Sequence, residues 1–457
     1  MILKKRKFDA GPHIMLSALL AAATAASAQT FTLLHSFTGS DGAYPVGSLI
    51  LSNATLYGMT SGGNGAVFKM NINGNSCSNL HYFGTSGYNG NNPNGALTLS
   101  GTNLYGMTVY GGAGVGVVFR ISTSGGAYTN LHYFNDRETN GAMPRGSLTL
   151  ANGLLYGTTY SRATNSFGTV FRMDTDGGGY TNLHAFAGGA ADGAYPWGDV
   201  TLSGTNLYGT ASQGGAAGLG VVFRLNTDGT GYTNLHSFTG YPNDGASPKG
   251  SLTLDGSTLY GMTQEGGPNA ARLGMVFKLN TDGSGYTNLH FFAGGTGDGA
   301  TPQGSGALAL ANGWLYGMTS ASGAGSKGTV FRVSTDGSSY TNFHSFAGGT
   351  NDGAYPYGCS LMLNGSTLYG MTYYGGTKDD GVVFTLSNLP PAPPPWLTII
   401  YANNQAIVSW PASVSGWTLQ TNNQLAAGAW GNYSGPIISN TITNSPTMGN
   451  LFFRLKQ

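Results

Sequence analysis

The tripeptide Leu-Tyr-Gly occurs seven times in this chain, and its regular return constrains the fold more than any other feature. Successive copies lie 48, 51, 52, 52, 56 and 53 residues apart. A repeat of this length is typical of propellers and solenoids, in which each unit buries its apolar surface against the next. A residue that recurs in every repeat is therefore expected to hold the repeat together. The copies end at Gly58, Gly106, Gly157, Gly209, Gly261, Gly317 and Gly370.

Four short strands are predicted in each repeat, as residues 198–238 illustrate. Residues 200–202, 207–210, 221–225 and 234–238 are rich in β-branched and aromatic residues and are bounded by Gly, Asn, Asp or Ser, a pattern typical of strands. We call them strands a, b, c and d. The a–b and c–d links are short and turn-rich, which favours hairpins. Each repeat is therefore predicted to be a four-stranded antiparallel meander, consistent with 77 glycines and 12% aromatic residues.

The fold class follows from the number of repeats and from the two ends of the repeat region. Adjacent apolar residues in strand c indicate a sheet covered on both faces, as when blades stack radially. Residues 33–37 read as a d strand with no c strand before it, and residues 382–386 as a c strand with no d strand after it. We therefore predict an all-β chain with a seven-bladed β-propeller over residues 29–388. The N-terminal strand closes its last blade, which leaves no unpaired edge there.

Three further segments flank the predicted propeller. Basic residues 4–7, an apolar stretch and Ala-Ser-Ala at 26–28 predict a signal peptide over residues 1–28. We therefore expect a secreted or cell-surface protein with no transmembrane segment after signal removal. Residues 389–395 form a proline-rich linker, and residues 396–457 are predicted to be a small all-β, sandwich-like C-terminal module.

Charge and cysteine usage exclude several classes of function. Removal of residues 1–28 lowers the formal net charge from +1 to −2 and leaves no basic run, so a nucleic-acid partner is not expected. Cys77 and Cys359 lie in non-equivalent parts of different repeats, and neither has a local cluster of His or Cys that would suit zinc. We predict no metal and no cofactor, leave calcium in the Asp-Gly-rich loops open, and expect a monomer.

One repeat unit contains five characteristic segments, at 220–225, Asp228-Gly229, 235–238, 244–248 and 259–263. Through these segments the chain resembles, over residues 31–388, the GloVer tandem-repeat family of exported bacterial proteins. The resemblance implies an exported repeat protein and assigns no biochemical role. Members of the family end in C-terminal sorting or anchoring segments, whereas this chain ends in the predicted β module, so surface attachment does not follow from the resemblance.

Ionisable residues that recur once per repeat are expected to be structural. A histidine recurs in strand d, the outer strand of each blade, so these side chains cannot converge, and we expect each to make a structural hydrogen bond. A Lys or Arg recurs in strand c and an Asp in the d–a link, and we expect these to pair within each blade because an isolated buried charge is costly. The histidines are His35, His81, His132, His184, His236, His290 and His344; the cations are Lys69, Arg120, Arg172, Arg224, Lys278 and Arg332; the acids are Asp41, Asp192, Asp244, Asp298 and Asp352.

Candidate ligand-binding residues are those that vary inside this fixed frame. In a meander the d–a and b–c links lie on one face of the ring, around the mouth of the channel. Binding residues usually lie on loops held by a rigid scaffold, and aromatic side chains suit stacking on sugars or contact with a peptide. The candidates are Tyr44, Arg145, Tyr195, Trp197, Lys249, Tyr355 and Tyr357 in the d–a links, and Tyr110, Tyr160, Tyr373 and Tyr374 in the b–c links.

Three functions remain open from sequence. The first is a non-catalytic binding or surface-interaction protein with a polysaccharide or protein as its partner at the cell surface. The second is a polysaccharide-active hydrolase or lyase with its site at the channel mouth. The chain has two glutamates, Glu138 and Glu265, and no pair of positioned carboxylates is visible. The third is a purely structural envelope protein.

Overall fold

The computed structural model describes residues 29–84, 89–112, 114–135, 140–161, 166–268, 270–303 and 306–389, together with the C-terminal strands given below. The predicted signal peptide and the predicted linker after residue 389 lie outside the described residues. The described residues divide into two compact units, the first of which lies within residues 27–391. Within the described part of the chain, no helix is long and apolar enough to span a bilayer.

The first unit is a seven-bladed β-propeller of four-stranded antiparallel blades, as predicted. Strand β1 is Thr30–Ser36. Blade 1 contains β2 (Pro45–Ser52), β3 (Thr55–Thr60), β4 (Ala66–Asn71) and β5 (Ser78–Tyr82). Blade 2 contains β6 (Asn91–Ser100), β7 (Asn103–Tyr110), β8 (Val117–Ser122) and β9 (Thr129–Tyr133). Blade 3 contains β10 (Thr149–Ala151), β11 (Leu154–Thr159), β12 (Thr169–Asp174) and β13 (Thr181–Ala185).

Blades 4 to 7 carry additional short strands in their links. Blade 4 has β14 (Gly193–Pro196), β15 (Thr201–Ser203), β16 (Asn206–Gly214), β17 (Val221–Asn226) and β18 (Thr233–Ser237). Blade 5 has β19 (Gly245–Ala246), β20 (Thr253–Asp255), β21 (Thr258–Thr263), β22 (Glu265–Gly266), β23 (Met275–Asn280) and β24 (Thr287–Phe291). Blade 6 has β25 (Gly299–Ala300), β26 (Ala309–Ala311), β27 (Trp314–Thr319), β28 (Ala321–Ser322), β29 (Thr329–Ser334) and β30 (Tyr340–Ser345). Blade 7 has β31 (Gly353–Ala354), β32 (Met362–Asn364), β33 (Thr367–Thr372), β34 (Tyr374–Gly375) and β35 (Val382–Ser387).

The N-terminal strand closes the ring, which confirms the prediction. β1 pairs antiparallel with β35, from Thr30 opposite Ser387 to Ser36 opposite Val382, and so becomes the d strand of blade 7. The first and last blades also meet at the channel, where Gly47 N–H donates to Gly358 O at 2.8 Å. The two ends of the repeat region therefore hold each other, and neither presents an unpaired strand edge.

The glycine of each Leu-Tyr-Gly is required because a phenylalanine ring lies across it. In blade 4, Gly209 pairs with Phe223, and a Cβ atom on Gly209 would lie 2.5 Å from Phe223 Cζ. Phe223 and Leu207 are fully buried. The same close approach, at 2.4 to 2.6 Å, recurs in all seven blades. The tripeptide is therefore a packing motif: Leu fills the core, and Gly makes room for the ring of strand c.

Neighbouring blades are joined by apolar cores and by a repeated contact between proline and glycine. The core between blades 3 and 4 contains Leu183, Phe186 and Phe223. The proline of each d–a link packs on the glycine before strand c of the preceding blade, so that a Cβ on Gly168 would lie 2.6 Å from Pro196 Cδ. The closing junction uses the same contact, between Gly381 and Pro45. These contacts fix the position of each d–a link.

Histidines of strand d pair with aspartates of the d–a link, which corrects one prediction. The expectation of a structural hydrogen bond is confirmed for His35, His184, His236, His290 and His344. His132 faces Asn140 instead, and the expectation is wrong for His81, whose Nε2 is buried without a hydrogen-bond partner among the described residues. The expectation that strand c cations pair with these aspartates is wrong, because Arg172 and Lys278 instead donate to backbone carbonyls of the next blade. The pairs are His35–Asp41 at 2.8 Å, His184–Asp192 at 3.0 Å, His236–Asp244 at 3.1 Å, His290–Asp298 at 3.1 Å and His344–Asp352 at 3.0 Å.

The C-terminal strands form two three-stranded antiparallel sheets. One contains β36 (Thr398–Ala402), β37 (Gln405–Ser409) and β40 (Thr441–Asn444). The other contains β38 (Thr418–Asn422), β39 (Gly431–Asn432) and β41 (Phe452–Lys456). The all-β character of this region agrees with the prediction from sequence, and its sandwich-like arrangement stays a prediction.

Candidate functional site

The residue before the proline of each d–a link adopts a left-handed backbone conformation in every repeat. A positive φ is uncommon for residues other than glycine, and it is a marked outlier for a bulky residue. Three of the seven residues are nevertheless tyrosines. Such conformations persist where the surrounding structure holds them, and they cluster at functional sites. The seven φ angles are 58° for Tyr44, 52° for Asn92, 55° for Met143, 57° for Tyr195, 53° for Ser247, 50° for Thr301 and 49° for Tyr355.

Hydrogen bonds to the preceding blade and to the same blade hold this conformation. The N–H of Tyr195 donates to Phe167 O at 2.7 Å, in the b–c link of blade 3. The carbonyl of Tyr195 accepts from Ser212 Oγ at 2.9 Å. Tyr44 and Tyr355 make the equivalent N–H bonds, to Asp380 O at 2.7 Å and to Lys327 O at 2.8 Å. The tyrosine side chains are therefore carried on a backbone that is fixed at both its donor and its acceptor.

These links lead directly into the central channel. Gly47 and Ser48 follow the Tyr44–Pro45 pair, and equivalent residues of other blades line a cavity of about 220 Å³. The d–a links therefore surround the channel mouth, as the sequence predicted. Ten of the eleven candidate residues fall into two groups there, on opposite parts of the ring. The tyrosine cluster consists of Tyr44, Tyr355, Tyr357, Tyr373 and Tyr374. The cationic cluster consists of Arg145, Tyr160, Tyr195, Trp197 and Lys249.

The tyrosine cluster joins blade 7 to blade 1 through ring contacts. Tyr44 stacks on Tyr373 with centroids 4.9 Å apart and planes 10° apart. Tyr355 stacks on Tyr357 at 5.6 Å and 7°, and Tyr374 lies edge-on to Tyr373 at 4.9 Å. All five side chains are half-buried. Desolvation raises the pKa of Tyr357, and proximity to Tyr355 adds to this. The cluster is an uncharged aromatic surface with little freedom to rearrange.

The cationic cluster spans blades 3, 4 and 5. Arg145, Trp197 and Lys249 occupy the same repeat position, after the proline. Arg145 Cζ lies 4.2 Å from the Trp197 ring centroid and 4.8 Å from that of Tyr160. Lys249 Nζ lies 5.0 Å from the Trp197 ring. Such contacts attract a cation to the ring face, so Trp197 holds two positive charges next to each other.

Neither cation of this cluster has a close carboxylate partner among the described residues. Every ion pair within 4.0 Å among the described residues joins a histidine to an aspartate. Arg145 Nε is buried and makes no hydrogen bond. Desolvation lowers the pKa of Arg145 and of Lys249, with Glu265 acting against it at Lys249. The cluster therefore presents two desolvated cations that an anionic group would stabilise.

One candidate makes no ring contact with either cluster, and two residues of the mouth were not identified from the sequence. Tyr110 is 37% exposed and makes no ring contact with either cluster among the described residues, but its electrostatic interaction with Arg145 opposes the effect of desolvation on the pKa of Arg145. Phe167 lies 5.3 Å from Tyr195. Asp199 borders the channel cavity, accepts a hydrogen bond from Ser147 N–H, and has its pKa raised by desolvation. The signal for Asp199 is present in the sequence, since other repeats carry serine or alanine at this position.

A third group forms on the outer side of the ring closure. Cys77, just before β5, lies beside His35 and Asp41, and one possible ligand atom from each lies within 4.8 Å of the others. Burial and Asp41 raise the pKa of Cys77 to about 12. The sequence around Cys77 contains no local cluster of His or Cys, and its neighbours in this group come from other parts of the chain. His35 and Asp41 are distant in sequence, and ring closure brings them to Cys77.

Comparison with known proteins identifies relatives at the level of repeat and fold. The model of the Gloeobacter/Verrucomicrobia repeat matches residues 23–217, 152–305 and 204–426. No curated protein matches the chain in sequence. Among solved structures, an oligogalacturonate lyase in complex with manganese has a TM-score of 0.51 at 11% identity, covering 80% of this chain and 94% of that chain. The computationally designed protein Ika8 has a TM-score of 0.43 at 11% identity, covering 82% and 96%. At 11% identity the likeness to the lyase shows a shared fold alone.

Proposed function

This chain belongs to the Gloeobacter/Verrucomicrobia repeat family, and we propose that it is an exported, non-catalytic β-propeller that binds an acidic polysaccharide at its channel mouth. The observation that carries the proposal is the placement of Arg145 and Lys249 against Trp197, without an ion-pair partner among the described residues. Charged hydrogen bonds from such groups to carboxylates are about twice as strong as neutral ones.

The tyrosine cluster supports a sugar as the ligand. Stacked and edge-on tyrosines offer apolar faces for the C–H surface of a pyranose ring and hydroxyl groups for its hydroxyls. Because Tyr44 and Tyr355 are held in their strained conformation by backbone hydrogen bonds, binding costs little ordering entropy. The two clusters lie on opposite parts of the same mouth, so an extended polymer can contact both, its acidic groups on one side and sugar faces on the other.

A polysaccharide-active hydrolase or lyase is the second candidate, and Asp199 is the observation that favours it. Its carboxyl borders the channel cavity, and desolvation raises its pKa, as is common for a general acid or base. The hydrogen bond from Ser147 N–H, which joins blade 4 to blade 3, equally fits a structural role. The binding function is therefore preferred, and release of soluble products is the property that distinguishes the two.

The test is binding of the purified chain to immobilised polygalacturonate, with a neutral polysaccharide as the reference polymer and an assay for released oligosaccharides. We expect retention on the acidic polymer that weakens with salt, and no released sugar. The double substitution Arg145→Gln and Lys249→Gln should weaken retention at least about tenfold. Arg120→Gln with Lys278→Gln removes the same charges from strands c and is the matched control.

Each other outcome has a definite meaning. An equal loss of retention in both double variants would show that retention depends on the net charge of the protein and not on this site. Release of oligosaccharides that stops with Asp199→Asn would favour the enzyme. No retention on either polymer would contradict the proposal and favour a protein partner or a structural envelope role.

A further inference from the structure

The junction between blade 7 and blade 1 departs from a rule that other blade junctions follow. At the other six junctions, a histidine of strand d stacks on an aromatic ring at or just before the start of strand d of the next blade. The ring is a tyrosine at five of these junctions, and at the junction of blades 6 and 7 it is Phe31. His184 stacks on Tyr232 at 4.0 Å, and His236 on Tyr286 at 3.6 Å. At the closing junction Cys77 occupies the position of this aromatic residue, so a thiol lies beside His35 where the other junctions have an aromatic ring.

This replacement brings together three different ligand groups. The imidazole comes from His35 in β1, the carboxylate from Asp41 in the link that enters blade 1, and the thiol from Cys77 before β5. His35 Nε2 and Asp41 Oδ2 are 2.8 Å apart, and all three ligand atoms lie within 4.8 Å of one another. A tetrahedral zinc ion with bonds of 2.0 to 2.3 Å requires ligand atoms roughly 3.3 to 3.7 Å apart. Shifts of about an ångström or less would reach that geometry.

From this arrangement we propose that His35, Asp41 and Cys77 form a Zn²⁺ site that links the N-terminal strand to blade 1. Sulfur and imidazole ligands select zinc over calcium and magnesium, which prefer oxygen. Three protein ligands leave a fourth position for water. The His35 and Asp41 side chains are 17% and 25% exposed, so an ion can reach them from solvent.

The surrounding contacts already orient the carboxylate and the imidazole. Asp41 Oδ1 accepts from Thr38 N–H at 2.9 Å and from Thr38 Oγ1 at 3.1 Å, which leaves Oδ2 directed at His35. The ring of Phe37 lies edge-on to His35 at 4.9 Å. Outer contacts of this kind hold metal ligands in place, and their loss typically weakens metal binding about 10- to 100-fold.

The experiment titrates Zn²⁺ into the chelator-treated full chain in competition with a chromogenic chelator, and repeats the titration with Co²⁺. We expect one equivalent of tightly bound Zn²⁺, a sulfur-to-cobalt charge-transfer band, and a higher melting temperature with zinc. Cys77→Tyr introduces the residue that five other junctions carry and is expected to fold. It should weaken Zn²⁺ binding at least about tenfold and abolish the band and the thermal shift.

Cys359→Ser is the matched control, because it removes the other cysteine, which is fully buried, and should leave the stoichiometry and the band unchanged. Cys77→Ser provides a second test with minimal change in volume, should Cys77→Tyr not fold. The proposal is overturned if the unsubstituted chain binds Zn²⁺ no more tightly than Cys77→Tyr or Cys77→Ser, or if the cobalt band disappears in Cys359→Ser.

Discussion

The hydroxyl of Tyr286 donates a 2.5 Å hydrogen bond to Asp244, which lies 42 residues earlier and at the junction with the preceding blade. Asp244 also accepts from His236 at 3.1 Å, while the Tyr286 ring stacks on that histidine. One carboxylate therefore fixes a histidine of blade 4 and a tyrosine of blade 5 together. Because this arrangement lies between blades, its ionisation is coupled to the stability of the ring.

Asp244 is expected to make stability depend on acid pH. Burial raises its pKa, but hydrogen bonds from His236, Tyr286 and the backbone outweigh this and lower it to about 2. A depressed carboxyl pKa contributes stability that is present above the unfolded value of 3.8 and is lost as pH falls toward 2. Asp244→Asn should cost about 2 kcal/mol near neutral pH, with the difference shrinking in acid.

Urea unfolding near neutral pH and in acid measures this difference, and Asp255→Asn, at the exposed end of strand β20, is the control. A constant difference between Asp244→Asn and the parent chain across the acid range would contradict the assignment of the effect to the ionised carboxylate.

The junction between blades 2 and 3 should lose stability at a higher pH than the Asp244 junction does. His132 faces Asn140 instead of an aspartate, at 3.4 Å, and burial lowers its pKa to about 4. The folded chain keeps this histidine neutral while the unfolded chain binds a proton near 6.5, so stability is lost as pH falls from about 6.5 to about 4. Asn140→Asp should remove this loss of stability, because it supplies His132 with a carboxylate like the one that Asp192 supplies to His184. Melting temperatures should diverge in favour of Asn140→Asp below about pH 6.5; parallel curves for the two chains would refute the prediction.

The glycine of Leu-Tyr-Gly should tolerate no side chain. Gly209→Ala places a methyl group 2.5 Å from the buried Phe223 ring and should lower the free energy of unfolding by about 1 to 3 kcal/mol. Gly297→Ala is the control, because a Cβ there has no atom within 4 Å and its φ is not in the left-handed region. Chemical unfolding of both variants measures the difference, and equal stabilities would show that the approach to Phe223 does not explain the glycine.

Removing two aromatic side chains from each cluster should strongly weaken polysaccharide retention with little loss of stability. Tyr195, Trp197, Tyr355 and Tyr357 are half-buried at the mouth, outside the cores between blades. Their joint replacement by alanine should reduce retention on polygalacturonate at least about tenfold, since each aromatic contact contributes roughly 0.5–1.5 kcal/mol. Thermal melting serves as the check on folding. Retention that survives the quadruple change would place the binding site elsewhere.

The blade count, the strand order within a blade and the closure by β1 were predictable from sequence. They depend on contacts that every repeat makes within itself, such as Gly209 with Phe223, and these contacts recur as visible motifs. The positions of the mouth residues were predictable for the same reason, because a four-stranded meander places its d–a and b–c links on one face. Tyr44 and Trp197 could therefore be chosen without knowing which residues they touch.

Contacts between blades could not be inferred in this way. Asp192 pairs with His184, not with a strand c cation, because blade stacking sets the direction of each side chain. The mouth residues separate into a tyrosine cluster and a cationic cluster because their neighbours come from adjacent blades. Trp197 lies 52 residues from both Arg145 and Lys249, whereas Tyr44 contacts Tyr373, which is 329 residues away in the chain. The group of His35, Asp41 and Cys77 exists because closure of the ring brings the N-terminal strand against blade 1. The closure itself was predictable, but which side chains it brings within contact depends on the way seven separate sheets pack around one axis.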